Sequence, residues 1–360
     1  MAAWSLDVAT DLARFTYEYI EKELALTLKE STYEVFNMLL SNTKDITGKK
    51  IRSDINLRDE GNAQHIDNPW QADTFNIENI SESAETDWAF ATSNVSFNEI
   101  ELGMNQGPEQ IHDLMQSKTE NAVREFADEI QPQLVLSPTS AGDKRNISGL
   151  SAWLPLGTDG STGDWNAYSG IYNDGAGTTF NAGGISSAAG VANNERWASY
   201  YADHDGQLGD NLLDLIDAAV LDCGFSNPIH PEQVGTATSW SGYKFITNRN
   251  VMLNIRTLLR KADDNLRSLE QYQGRSLYNG IVMMYHPTLN TANTTLYGTD
   301  PFWGVNMDVL KVYTLRGWKF KKKGPRESDL QHNTIRVFWD LVYNIHTRDR
   351  RRAGFLISQQ

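Results

Sequence analysis

The sequence predicts an α+β fold built from unusually long elements, and three features carry that prediction. Near the C-terminus, "TIRVFWDLVYNIH" sets Ile335, Val337, Trp339, Leu341, Tyr343 and Ile345 on one face of a strand. Arg336, Asp340, Asn344 and His346 fall mainly on the other, the alternation of a half-buried strand. Eleven such residues span roughly 36 Å, longer than most strands, so an equally extended partner is required. The second feature is a helix opened by Pro108 and closed by Pro132, with Ile111, Met115, Ala122, Phe126 and Ile130 along one face. At about 24 residues it also reaches about 36 Å, and the two are expected to lie side by side. Third, helices and strands alternate through 205–316, as in a mixed α/β layer.

Composition narrows the class. The chain has 360 residues, 40% of them hydrophobic and 22% charged, enough for a large buried core and a globular state. A net charge of -14 argues against wholesale nucleic-acid binding, which needs clustered cations, but suits a surface lying near nucleic acid without adhering to it. One cysteine, Cys223, excludes an internal disulfide and a multi-cysteine zinc site. The N-terminus lacks a secretory pattern, and no run approaches the ~18 apolar residues of a membrane span, so a soluble intracellular protein is expected.

The elements follow in order. Residues 6–40 read as helical, with Ser31 and Glu34 spaced as a capping box, yet they hold too little for a core of their own and are expected to pack on something else. Residues 44–85 read as a long hairpin, with Ile51, Ile55 and Leu57 on one strand face and Phe75 and Ile77 resuming the alternation after a turn-rich middle. Residues 86–103 alternate with a slip between Phe90 and Val95, which predicts a bulge or bend. The Gly-, Ser-, Asn-, Trp- and Tyr-rich stretch 137–205 reads as irregular loops. Helices near 208–222 and 248–269 and a strand at 280–285 complete the alternating block.

No catalytic motif emerges. The seven histidines show no metal-ligand spacing, and Asp203-His204-Asp205, the nearest approach, reads as a solvated loop. Gly175-Ala176-Gly177 lacks the lysine of a phosphate-binding loop, and no serine sits in a nucleophile elbow. No catalytic, cofactor or metal residue is assigned, and the chain is not expected to be an enzyme. Two basic clusters remain, "KFKKKGPR" (Lys319 to Arg326) and "RDRRR" (Arg348, Arg350, Arg351, Arg352). They read as solvated, charge-balanced faces, as local nucleic-acid contacts, or as groups that pair with carboxylates of a neighbouring copy, a role suited to planar guanidinium groups. Trp153, Trp165, Tyr168, Tyr172, Trp197, Tyr200 and Tyr201 admit an alternative, a carbohydrate-binding surface across 153–201.

Taken in order, helical arm, hairpin, strand, long helix, α/β insertion and returning strand resemble the major capsid protein of a tailed bacteriophage, the Hong Kong 97 phage fold. The closest resemblance is Arg350-Arg351-Arg352-Ala353-Gly354-Phe355-Leu356, a basic turn followed by small residues and an aliphatic tail. A looser one covers 277–316. The chain departs from the family pattern at His286-Pro287, where an aspartate is usual, and at Ala353, where a glutamine is common. Lys49 and Lys50 lie at the hairpin base, where some relatives carry a cross-linking lysine, but no partner motif accompanies them.

The resemblance implies an N-terminal arm (1–43), an extended hairpin (44–85), a peripheral domain with a spine helix (86–145), an axial domain (146–328) and a peripheral return strand (329–360). It implies a structural protein without cofactors that assembles with copies of itself, as hexamers and pentamers, into an icosahedral or prolate shell around double-stranded DNA. Portal, scaffolding and decoration proteins would be further partners, DNA would be enclosed without sequence-specific binding, and no membrane would be involved. The protein would be built in the host cytoplasm and reside in the virion. Arg348, Arg350, Arg351, Arg352 and Trp70 are the expected inter-subunit contacts. An encapsulin-type compartment shell is the alternative within the fold.

Overall fold

The computed structural model describes residues 34–56, 62, 65, 70, 75–77, 80–98, 100, 108–138, 143, 145–156, 165–166, 182–185, 197, 199–223, 242–262, 276–278, 281–327 and 333–359. The expected arm helix over 6–33, its capping box, the hairpin tip and the Gly175–Gly177 stretch lie largely outside them.

The long closing strand organises the first layer. Strand β13 (Thr334–Thr347) is the spine of a five-stranded sheet completed by β1 (Thr43–Ile46), β4 (Ala89–Asn98), β11 (Leu310–Leu315) and β12 (Lys321–Glu327). Its extended partner is β4, paired antiparallel from Thr334↔Asn98 to Tyr343↔Ala89 without a break. The other edge of β13 is shared by β12, from Glu327↔Ile335 to Lys321↔Asp340, and β11, from Thr314↔Tyr343 to Leu310↔Thr347. The expected bulge in β4 is therefore absent. Ala89, Ala91, Ser93, Val95 and Phe97 point inward in one uninterrupted phase, and Phe90 points outward at 58% exposure. Small inward residues disguised the periodicity.

The long helix α2 (Pro108–Gln133) lies on this sheet as its matching length required, with Ala122 packed among Val95, Phe97, Val337 and Trp339. Pro132 sits inside the last turn rather than after it; beyond it, Leu136 N–H bonds to the Pro132 carbonyl at 3.3 Å. The short helix α1 (Glu34–Ser41) adds Val35, Phe36 and Leu39 to the same core as Phe126 and Ile130.

A second, seven-stranded mixed sheet runs β5 (Trp165–Asn166), β6 (Ser199–Ala202), β14 (Gly354–Gln359), β10 (Thr299–Asn306), β7 (Tyr243–Thr247), β9 (Ile281–Tyr285), β8 (Ser276–Tyr278). Between α2 and β5 in the chain the short helix α3 (Leu150–Trp153) is wholly buried, and a final short helix, α6 (Arg350–Ala353), joins β13 to β14. Helices α4 (Asp210–Asp222) and α5 (Arg249–Ala262) cover one face of the second sheet, where Leu212, Ile216, Ala219, Val251 and Ile255 meet Phe245, Phe302 and Phe355. The helix spacing of 212, 216 and 219 is what the sequence advertised.

The expected boundaries at 146–328 and 329–360 do not follow the sheets. Strands β11 and β12 belong with β13, while β14 crosses into the second sheet beside β10 and β6. Hydrogen-bond pairing, not chain order, decides membership, and pairing partners are distant in sequence.

The hairpin is a two-stranded sheet of β2 (Ile51–Asn56) and β3 (Ser81–Thr86), in register from Ile51↔Thr86 to Asn56↔Ser81. Phe75 and Ile77 lie outside its strands, a correction to the expected pairing. Toward the tip, Asn62 and Asn76 hold the arms together: Asn62 Nδ2 donates to the Asn76 carbonyl at 3.0 Å and Asn76 N–H donates to Asn62 Oδ1 at 2.6 Å.

Candidate assembly surface

The arginine corner is built by the end of β13. Asp349 caps α6, its Oδ1 accepting the Arg352 N–H at 3.3 Å, while Thr347 Oγ1 donates to the Asp349 carbonyl. One turn of helix spreads three successive arginines over different faces. Arg350 and Ala353, three apart, turn inward.

Arg350 is wholly buried. Its Nε donates to the Trp153 carbonyl at 2.9 Å, Nη1 to the Trp197 carbonyl at 3.0 Å and Nη2 to Ser199 Oγ at 3.4 Å. Desolvation pulls its pKa down to about 9, still far above neutrality, so the group remains charged. The expectation that Arg350 reaches a neighbouring copy is therefore corrected. Its fork is spent on carbonyls and a hydroxyl of its own chain, where it ties α6 to α3 and β6.

Arg348, Arg351 and Arg352 behave differently: all three are exposed. They line a cleft of about 410 Å³ together with Asp222, Asp349, Cys223, Leu221, Trp197 and the hairpin residues Ile55 and Asn56. Asp349 Oδ2 lies 3.7 Å from Arg352 Nε, a half-exposed pair worth little by itself. Leu221, 80% exposed, and Ile55 give the cleft an apolar wall beside its cations. Such a cleft suits a segment carrying both carboxylates and apolar groups.

The hairpin carries a second exposed set. Trp70 is 91% exposed, Ile77 86% and Phe75 77%. Trp70 and the arginine corner are not brought together within the chain's described contacts. The hairpin base, by contrast, is firmly seated. Lys50 Nζ lies 3.3 Å from Glu85 and 3.6 Å from Asp87, and Trp88 Nε1 donates to the Gly48 carbonyl. Buried Ile51 packs with Trp88, Tyr313 and Val342. Beneath them His346 reaches both strands, its Nε2 2.7 Å from Ser53 Oγ and its Nδ1 2.9 Å from Thr86 Oγ1. This cover explains why β13 alternates only as far as Leu341 and is buried on both faces beyond it.

The other basic cluster is satisfied largely at home. Lys321 and Lys323 each stand 4.4 Å from the centre of the Trp318 ring, and Lys319 Nζ donates to Thr43 Oγ1. Lys323 meets Asp340 at 2.5 Å; burial opposes ionisation of that carboxyl, but bonds from Lys323 and Thr92 prevail and hold its pKa below the usual value.

Asp203 and His204 are buried rather than solvated: Asp203 Oδ1 accepts the Asp205 N–H and His204 Nδ1 accepts the Gly206 N–H, closing a turn. Among the described residues no group of His, Cys, Asp or Glu is placed to hold a metal ion. Trp153, Trp197, Tyr200 and Tyr201 of the aromatic block are buried, so they offer no platform for a sugar; Tyr168 and Tyr172 lie outside the described residues. Trp153 donates Nε1 to the Ser148 and Ile345 carbonyls and stands edge-on to Trp197 at 6.2 Å. No described helix is long and apolar enough to cross a membrane.

The sequence singles out Arg350 but not its internal role, and it gives no sign of the bonds that His346 makes to the hairpin. The signal for Arg350 was its spacing of three from Ala353 behind a capping Asp349. For His346 there was none, since its partners lie 293 and 260 residues away in the chain.

No protein-family model matches the chain, nor does any curated protein. Solved structures do. The capsid asymmetric unit of cyanophage A-1(L) superposes with a TM-score of 0.61 at 13% identity, over 90% of this chain and 92% of that one. The capsid of Myoviridae phage XM1 gives 0.50 at 10% identity, over 87% and 86%. The likeness is one of architecture, running nearly end to end in both molecules. The chain has the Hong Kong 97 phage capsid fold.

Proposed function

We propose that this chain is the major capsid protein of a tailed phage, a structural subunit that assembles with copies of itself into a closed shell. The observation that carries the reading is the hairpin of a chain with this fold, which holds Trp70, Phe75 and Ile77 at 77–91% exposure. Apolar surface of that kind marks a protein–protein contact when its owner is an assembling subunit.

On this reading the five-stranded sheet with α2 is the peripheral domain and the seven-stranded sheet with α4 and α5 the axial domain. The axial loops meet around five-fold and six-fold positions of pentamers and hexamers. Arg348, Arg351 and Arg352 pair with carboxylates of neighbouring copies, while Arg350 stays internal. The shell encloses double-stranded DNA, and the net charge of -14 limits adhesion of that DNA to the wall. Assembly takes place in the host cytoplasm, with portal, scaffolding and decoration proteins as further partners, and the subunit performs no catalysis.

Electron microscopy of the purified protein tests the reading, with particle contents examined after nuclease treatment. Closed shells protecting DNA support it. Shells filled with protein cargo would favour a compartment shell instead, and a glycan-binding monomer would return the aromatic block to consideration.

A further inference from the structure

One buried side chain bonds both strands of the hairpin, two residues before an arginine of the cleft. His346 is 1% exposed and stands on β13 with one ring nitrogen against each hairpin strand, Ser53 on β2 and Thr86 on β3. Its ring is boxed edge-on by Trp153 at 5.4 Å and Tyr313 at 5.8 Å. A neutral imidazole has one donor and one acceptor, so one hydroxyl donates to the ring and the other accepts from it. A protonated ring would donate to both hydroxyls, but neither carries a negative charge to offset the buried cation, and the hydroxyl that had donated to the ring would need a new acceptor. Two residues further on, Arg348 lines the cleft, and Ile55 and Asn56 at the far end of β2 contribute to its wall.

We propose that His346 is a proton-operated latch: neutral, it clamps hairpin β2–β3 to β13 and keeps the arginine cleft in shape, and protonated, it releases the hairpin and dismantles that wall. Adding a proton makes both ring nitrogens donors, so the hydroxyl that was donating must reverse and lose its acceptor. It also places a cation in a site closed to water.

The surroundings add no compensating charge. Lys311 stands opposite His346 in the β11 register, Tyr313 is the neighbouring residue on that face, and Arg348 follows on β13. On the hairpin side, Arg52, Asp54 and Glu85 lie on the exposed outer face, Glu82 shares the face of Thr86 but sits four residues along β3 opposite Ile55, and Lys50 with Asp87 sits at the base. Burial first, then the Arg348 charge, lowers the His346 pKa to about 4. In the released hairpin the ring regains its ordinary value, 6.5, and opening becomes easier as pH falls between those two values.

Amide hydrogen exchange on the full-length chain tests this, following peptides from 49–56 and 81–88 against a control from β10 at matched intrinsic rates. Between about pH 7.5 and about pH 4.5 the wild-type hairpin should lose protection on the order of 50- to 100-fold relative to the control. His346→Gln keeps a donor and an acceptor but cannot titrate, so its hairpin protection should stay flat over that range. Thr86→Val should open the hairpin already at neutral pH with β10 unchanged. A wild-type hairpin whose protection tracks β10 at every pH overturns the latch, as does a Gln variant that opens at the wild-type midpoint. The readout needs no shell, so failure of the latch and failure of the capsid reading are separately visible.

Discussion

Three arginines in a row differ more in role than in chemistry. Arg350 is buried with its fork on two carbonyls and a hydroxyl, whereas Arg351 and Arg352 face the cleft. Charge-assisted bonds from a buried group are costly to remove, because the carbonyls they served are left unpaired. Arg350→Ala should therefore lower unfolding stability by about 3 kcal/mol or more, read as a shift of the urea midpoint. Arg351→Glu with Arg352→Glu should change monomer stability by only about 0.5 kcal/mol, yet make particle formation strongly salt-dependent or abolish it. Equal destabilisation by both sets would contradict the division. Histidines give a second residue-scale test. His286, buried and bonded to the Gln131 carbonyl, and His346 are both held down to about 4, by desolvation above all. Their neutral forms favour the fold, so stability is whole above pH 6.5 and is lost as pH falls from 6.5 toward 4. Each contributes at most about 1.4 kcal/mol per pH unit within that window. Urea midpoints measured across it should fall in wild type and flatten in the His286→Gln, His346→Gln double variant.

At the scale of elements, the joints are where the fold is least forgiving. Gly149 leads into α3 directly beneath the end of α2, and a Cβ there would run into the carbonyls of Gln133, Leu134 and Leu136. No flexible side chain can yield, so Gly149→Ala should cost about 2–3 kcal/mol in a denaturant titration, with an unchanged midpoint contradicting the packing. The elements themselves were largely legible. The alternation of Ile335 through Leu341 and the spacing of Leu212, Ile216 and Ala219 reflect burial on a single face, which periodicity reports directly. β4 misled because Ala91 and Ser93 point inward with little apolar weight and Phe90 points outward. The sheet memberships were not legible, since β14 must cross from one sheet to the other, and nothing local distinguishes a strand that crosses. Nor was the candidate site: an arginine run has the same sequence whether one fork turns in or out, and the contacts of Arg350 lie 151 to 197 residues away.

Seen whole, the molecule divides its apolar surface unevenly. Both sheets share one core that takes in Trp153, Trp303 and Leu341, while the hairpin carries Trp70, Phe75 and Ile77 into solvent. An assembling subunit resolves that imbalance by burying the hairpin on a neighbour, and its stability then depends on concentration. Replacing Trp70, Phe75 and Ile77 together by serine should leave a folded subunit with an unchanged circular dichroism spectrum that forms no closed particles. Normal shells from that variant would remove the hairpin from the contact. The central claim is that the wild-type chain encloses a volume by self-association, and imaging the purified protein by electron microscopy over a range of concentration and salt tests it most directly. The account predicts closed, uniform shells or their hexameric and pentameric building blocks; a lone monomer under every condition would contradict it.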